Sequence, residues 1–264
     1  MVFLHISDIH FLREYTKAES GYNSIFNNMT SPILQLEKVL EKVDKDTLDF
    51  IIITGDLVES GTSEDYKSLK EKLNNIFGNI PYIVTLGNHD NKKEFYKGWF
   101  NEELGDKPYN TTVNIGNLKI ISFDNSDHHN SNGIITFERY KWLKEELEKE
   151  PNKDTILMTH HHLLKEQFNL PSVSFDKEFE EIINKSSIVG VFSGHTHHPY
   201  KGIFAGKPYF TAGSLSFIGY DEADGGVRFE EETKCNFCKY ENGEISVEII
   251  NVSGKSKFLT YVKF

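Results

Sequence analysis

Five short blocks bring together carboxylate, amide and imidazole groups at spacings that could do metal chemistry. They are Asp8 with His10, Gly55-Asp56, Gly87-Asn88-His89-Asp90, His160-His161-His162, and Gly194-His195-Thr196-His197. Eight of the eleven histidines fall in or beside them: His10, His89, His160, His161, His162, His195, His197 and His198. Each block alone has an ordinary reading. Gly-Asp is commonly a turn, and Asn88 or Asp90 could cap a helix. Taken together, carboxylate, amide and imidazole groups without thiolate form a donor set suited to Mn²⁺, Fe or Zn²⁺, and sequence does not choose among the three.

The elements that must position these blocks follow from hydrophobic pattern. Apolar runs at 2–6, 50–53 and 82–84 suit strands buried on both faces of a mostly parallel sheet. A helix is predicted from Pro32 to Val43, with Ser31 as its cap, and a second through Tyr66, Leu69, Leu73 and Ile76. A strand pair at 109–115 and 118–123 is joined at Gly116-Asn117. A helix then carries Phe137, Tyr140, Leu143 and Leu147, and a strand at 156–158, a helix at 179–183 and a strand at 188–192 follow. The tail reads as a hairpin around Gly206 and one alternating strand through Ile245, Val247 and Ile249. All five polar blocks therefore directly follow predicted strands, at the carboxyl ends where α/β folds gather their sites. The expected fold is α/β, with two packed mixed β-sheets flanked by helices in a four-layer αββα sandwich. No linker or low-complexity segment appears, so residues 1–264 are expected to form one domain. Residues 11–30 are polar, spotted with aromatics and without periodicity, which predicts a long loop of functional interest.

The five blocks, in this order, resemble the calcineurin-like metallophosphoesterase family, whose motifs run Asp-x-His, Gly-Asp, Gly-Asn-His-Asp/Glu, His and Gly-His-x-His. The resemblance covers about residues 1–215 and is nearest to the cyclic-nucleotide and glycerophosphodiester phosphodiesterases. Smaller echoes are His-Ile-Ser-Asp-Ile-His at the start, Gly-Asp-Leu-Val-Glu-Ser-Gly around Asp56, and Gly133 ahead of the helix with Trp142-Leu143. The segment from about 216 onward is unmatched.

The resemblance implies two divalent metal ions. Asp8, His10 and His197 would hold the first. Asn88, His195 and one histidine of the triplet would hold the second, and Asp56 would bridge both. The family often has His-His-Pro at the triplet, with the first of that pair as ligand. Aligning Leu163 with the missing proline selects His161, the preferred position; aligning on Thr159 selects His160. The remaining triplet members, His162 among them, would then support the site. The implied reaction is phosphodiester hydrolysis by attack of a metal-bridging hydroxide. His89 would sit over the phosphate as a catalytic residue, with Asp90 either orienting it or capping a helix. A phosphomonoesterase or nucleotide phosphohydrolase is the close alternative, and an inactive scaffold on the same fold is the alternative of another class.

Composition narrows the partners. A net charge of -11 without a dense Lys/Arg block argues against extended nucleic acid and leaves a small phosphate ester as the expected substrate. Substrate selectivity is expected in loops such as 11–30 and 168–174. No apolar run approaches the ~20 residues of a membrane span. The start has no signal-peptide pattern, so a cytoplasmic location is expected. Cys235 and Cys238 lack the second pair that a zinc knuckle needs and read as ordinary thiols, with a redox pair or half of an intermolecular metal site as alternatives.

Overall fold

The computed structural model describes residues 1–128, 130–167 and 170–263. Phe168 and Asn169, in the segment expected to govern selectivity, lie outside the described residues. Strands β1 (Val2–Ile6), β2 (Phe50–Thr54) and β3 (Tyr82–Thr85) run parallel in the first sheet. Two connecting helices, α1 (Pro32–Lys42) and α2 (Ser63–Phe77), cover its outer face together with a short helix, α3 (Lys92–Phe95). Pro32 opens α1 as expected, although the Ser31 side chain makes no capping bond. Thr62 and Asp65 close a capping box on α2.

The second sheet has the order β4-β5-β6-β7-β9-β8. Its strands are β4 (Thr111–Ile115), β5 (Leu118–Ser122), β6 (Thr155–Met158), β7 (Ile188–Ser193), β8 (Tyr200–Phe204) and β9 (Lys207–Thr211). Helices α4 (Phe137–Lys149) and α5 (Lys177–Lys185) cover its outer face. The central strands are buried on both faces, and alternation sorts their residues between two cores. Phe3, Phe50 and Ile52 meet Ile120, Ile156, Met158 and Phe192 between the sheets, while Leu4, Ile51 and Ile53 pack under α1 and α2. The result is the expected helix–sheet–sheet–helix sandwich.

The tail exceeds the single strand expected beyond the hairpin. Five strands are found there among the described residues: β10 (Ile218–Asp221), β11 (Gly226–Glu231), β12 (Lys234–Glu241), β13 (Glu244–Asn251) and β14 (Lys257–Lys263). β12 adds antiparallel to β1 and carries β13, which widens the first sheet to β13-β12-β1-β2-β3. β10, β11 and β14 form a small third sheet. The 11–30 segment is indeed mostly irregular; its one short turn of 3₁₀ helix, Tyr22–Asn27, packs on that third sheet. Cys235 and Cys238 lie on opposite faces of β12, one in the core under the helices and one between the sheets. Both are free and buried, so in this fold they share neither a disulfide nor a metal. Burial pushes the Cys235 thiol up to about 12. Among the described residues no helix is long and apolar enough to cross a membrane.

Candidate metal centre

The five blocks converge at one end of the sandwich, where the carboxyl ends of β1, β2 and β3 face those of β6 and β7. The loops after β1 and β2 are zipped by Asp8 N–H to the Gly55 carbonyl (3.1 Å) and His10 N–H to the Asp56 carbonyl (2.9 Å). Across the sheets, the His195 N–H donates to both Asp8 carboxylate oxygens at 3.2 Å. Asp8, His10, Asp56, His195 and His197 all have φ between 48° and 72°. That left-handed region is uncommon for residues with a Cβ and costs on the order of 1 kcal/mol or more at each position. Two glycines permit the crowding: a Cβ on Gly87 would lie 2.1 Å from Asp56 Oδ1, and one on Gly194 1.8 Å from Ser7 Oγ.

Donor atoms of Asp8, His10, Asp56 and His197 all lie within 4.8 Å of one another. Each imidazole here has its tautomer fixed from behind. His10 Nδ1 meets Glu59 Oε2 at 2.5 Å, and His197 Nδ1 donates to the Phe217 carbonyl at 2.6 Å. Their Nε2 atoms therefore face inward, 3.2 Å apart, with His197 Nε2 3.4 Å from Asp8 Oδ1 and His10 Nε2 3.6 Å from Asp56 Oδ2. Lone pairs and carboxylates gathered at such distances repel unless a cation sits among them.

A second half lies on the other side of Asp56. His160 Nδ1 donates to the Thr54 carbonyl (2.6 Å), which turns His160 Nε2 to within 3.3 Å of Asp56 Oδ2. His160 Nε2, Asn88 Oδ1 and His195 Nε2 are buried without hydrogen-bond partners, as are both ring nitrogens of His161. Unpaired buried groups of this kind each cost about 1–3 kcal/mol, so several in one place call for a ligand. Burial and the neighbouring imidazoles hold His195 and His161 well below the usual histidine range. For His160, burial opposes the charged form, but Asp56 prevails and raises it to about 9. These carboxylates, imidazoles and the amide form a donor set that suits divalent cations.

The triplet diverges residue by residue. Asn125 Oδ1 accepts from the N–H groups of both His160 and His161 at 3.1 Å, and its Nδ2 donates to the His161 carbonyl at 2.9 Å. The His161 ring packs on His195, with centroids 4.4 Å apart. His162 stacks on His195 with centroids 5.7 Å apart while its Nε2 donates to the Leu170 carbonyl (3.1 Å), and His198 Nε2 donates to the Gly219 carbonyl (2.9 Å).

His89 borders the first half. Its N–H donates to Asp56 Oδ1 (2.9 Å) and its Nδ1 meets Glu59 Oε1 at 2.8 Å. Burial works against the charged imidazole, but Asp56 and Glu59 outweigh it and raise His89 to about 9. The expectation that Asp90 orients His89 or caps a helix is corrected. Its buried carboxylate is occupied by the N–H groups of Gly87 (2.8 Å), Leu57 (3.1 Å) and Val58 (3.1 Å) and by the Tyr66 hydroxyl (3.0 Å). The cap of α3 is Asn91. The residue that does hold His89 is Glu59, which sequence reading quoted within Gly-Asp-Leu-Val-Glu-Ser-Gly without giving it a role. It accepts from His10 and His89, and from the Tyr22 hydroxyl at 3.3 Å. Burial alone would raise Glu59, yet the two histidines bring it down to about 2. Also missed were Asn125 and the 214–217 segment, where Ser214 and Ser216 donate to the Asp8 carbonyl at 2.9 Å.

The chain is similar to known proteins in sequence and in fold. The chain is 29% identical over 209 residues to a probable glycerophosphodiester phosphodiesterase of Arcobacter nitrofigilis, covering 75% of this chain and 72% of that protein. It is 24% identical to a cAMP/cGMP dual specificity phosphodiesterase of Mycobacterium tuberculosis, over 99% of this chain and 82% of the other. In fold it is similar to a dimetal phosphatase of Danio rerio, with a TM-score of 0.61, 11% identity, and coverage of 96% of this chain and 99% of that one. The sequence pattern of the calcineurin-like phosphoesterases matches residues 1–199, and the chain belongs to that family.

Proposed function

We propose that the chain hydrolyses phosphodiesters at a dinuclear metal centre held by Asp8, His10, Asp56, Asn88, His160, His195 and His197. The observation that carries this reading is that donor atoms of Asp8, His10, Asp56 and His197 gather within 4.8 Å of one another, while beside them Asn88 Oδ1, His160 Nε2 and His195 Nε2 are buried and unpaired. His160 replaces His161 as the preferred ligand. Both rings pack on His195, but the His160 Nε2 also lies 3.3 Å from Asp56 Oδ2. When bound, divalent cations supply Lewis acidity toward phosphate oxygens and lower the pKa of a coordinated water.

The chain's own residues do the rest. Hydrolysis adds water across one P–O bond, and the departing ester oxygen must end with a proton. Glu59 fixes the Nδ1–H of His89, leaving Nε2 to carry a proton toward that oxygen. The phosphodiesterase relatives support a diester over a monoester. The test is a Mn²⁺-supplemented screen on bis(p-nitrophenyl) phosphate, the monoester and cyclic nucleotides, run beside metal analysis. Two metal equivalents with preferred diester turnover are expected, and His89→Ala should lose roughly 10²-fold or more in turnover with metal content intact. Preferred monoester turnover would move the assignment to phosphomonoesterase. A ceiling of one metal, unchanged by Asp56→Ala, would sink the dinuclear reading.

A further inference from the structure

Phe217 lies beyond the stretch that matches the family, and no part of the proposed reaction uses it. Yet this residue, 2% exposed, touches two of the four groups assigned to the first metal and reaches the backbone of a third, Asp8, through Ser214. Its carbonyl accepts the His197 Nδ1–H at 2.6 Å. Its ring centroid lies 4.7 Å from the His197 ring and 5.0 Å from the His10 ring. Its N–H donates to Ser214 Oγ (3.3 Å), which in turn donates to the Asp8 carbonyl (2.9 Å).

We propose that Phe217 is a positioning residue for the first metal, held in place by an aromatic cluster that the 11–30 segment and the third sheet build together. The inference rests on the ligand set proposed above. One hydrogen bond at Nδ1 selects a tautomer, but the terminal torsion of histidine is broad, so the ring can still tilt about that bond. A lone pair must point along the metal–nitrogen bond, and a flat ring packed against both imidazoles limits that tilt.

The support on the far side of Phe217 is extensive. Its ring lies 6.1 Å from both Tyr22 and Phe26, which come from the 11–30 segment, and 5.8 Å from Phe229 on β11. Ile25, Leu259 and Val262 complete the cluster, and Ser24 Oγ meets Thr260 Oγ1 at 2.8 Å. Among the described residues, the second-metal groups Asn88, His160 and His195 share no ring contact with Phe217; His160 and His195 pack on each other and on His161. The effect of Phe217 should therefore fall on one metal and spare the other.

The test is Mn²⁺ titration of the full chain against a competing chelator, with thermal melting of the metal-free protein in parallel. Phe217→Ala should weaken the first site by about 10–100-fold, the range of lost support behind a ligand, and leave the second site within about 2-fold. Phe217→Leu, which keeps most of the volume, should recover much of that loss. Phe229→Ala, one ring further away, should weaken the same site by a smaller factor. His197→Ala serves as the control for the ligand set. If it leaves both affinities intact, the ligand assignment itself fails. If His197→Ala loses one site while the Phe217 variants bind both metals like the unaltered protein, only the positioning role fails. Equal weakening of both sites in Phe217→Ala and Phe229→Ala would also overturn it, since that is what a general loss of stability does. Should Phe217→Ala not fold, Phe217→Leu and Phe229→Ala decide by the same criteria.

Discussion

His160 and His161 illustrate how one position along a strand end changes a side chain's chemistry. Both residues lie in the bend after β6 and both rings pack on His195, but His160 also turns its Nε2 to within 3.3 Å of Asp56 Oδ2. The Thr54 carbonyl holds His160 from behind, whereas His161 has no such partner at either nitrogen. His160→Ala should therefore abolish tight binding at the second site, while His161→Ala should lower it only modestly through looser packing of His195. Metal titration of both variants in one buffer checks this; a selective defect in His161→Ala would restore the reading from sequence. Glu59 gives a second prediction at this scale. Its carboxylate serves His10 on one oxygen and His89 on the other. Glu59→Gln keeps the shape but removes the charge and one acceptor. It should weaken the first metal by about 10–100-fold and reduce turnover further at saturating metal. Loss of turnover with unchanged metal affinity would confine Glu59 to His89.

At the scale of elements, Asp90 joins the loop after β2 to the loop after β3. Three N–H groups and the Tyr66 hydroxyl converge on a carboxylate with no exposure. Burial and the nearby Asp56 charge push that carboxyl up to about 7, while the N–H groups pull it down. Asp90→Asn places an amide NH₂ against donors and leaves at least one buried N–H unpaired. A loss of about 2–4 kcal/mol of stability is expected, seen as a lower melting temperature of the metal-free protein. An unchanged melting temperature would mean that the two loops hold their geometry without it. This role was hidden in the sequence for a physical reason. The five blocks were legible because each follows an apolar β-branched strand, and a strand's carboxyl end fixes where the next residues go. Asp90, Glu59, Asn125 and Phe217 act through single contacts with residues distant in the chain, and local pattern carries no trace of those. The tail was misread similarly. β12 is buried on both faces with Cys235, Asn236 and Cys238 inside it, so no clean alternation marks it as a strand.

At the scale of the molecule, the proposed ligands come from two sheets that are otherwise joined mainly by apolar packing. The first sheet supplies Asp8, His10, Asp56 and Asn88, and the second supplies His160, His195 and His197. Polar links also cross the seam, among them His195 N–H to Asp8, His160 Nδ1 to the Thr54 carbonyl and the Ser122 hydroxyl to the Val84 carbonyl at 2.9 Å. Five of the seven ligand candidates also hold left-handed backbone torsions, so the metal-free state carries strain and unpaired donors at the same place. Metal binding should satisfy the unpaired donors and tie the sheets together, which makes it a folding term for the whole chain. A cation at about 100 times its dissociation constant adds about 2.7 kcal/mol for one site. At roughly 2–4 °C per kcal/mol for a domain near this size, one occupied site should raise the melting temperature by about 5–10 °C. Chelation should reverse that rise. Asp56 is the one ligand proposed to touch both cations, so Asp56→Ala should remove most of the metal-induced rise, whereas Asn88→Ala should remove only the share of the second site. Scanning calorimetry with and without Mn²⁺ on these two variants distinguishes the cases: equal losses in both would mean that Asp56 serves a single metal, and the bridge between the halves would have to be sought elsewhere.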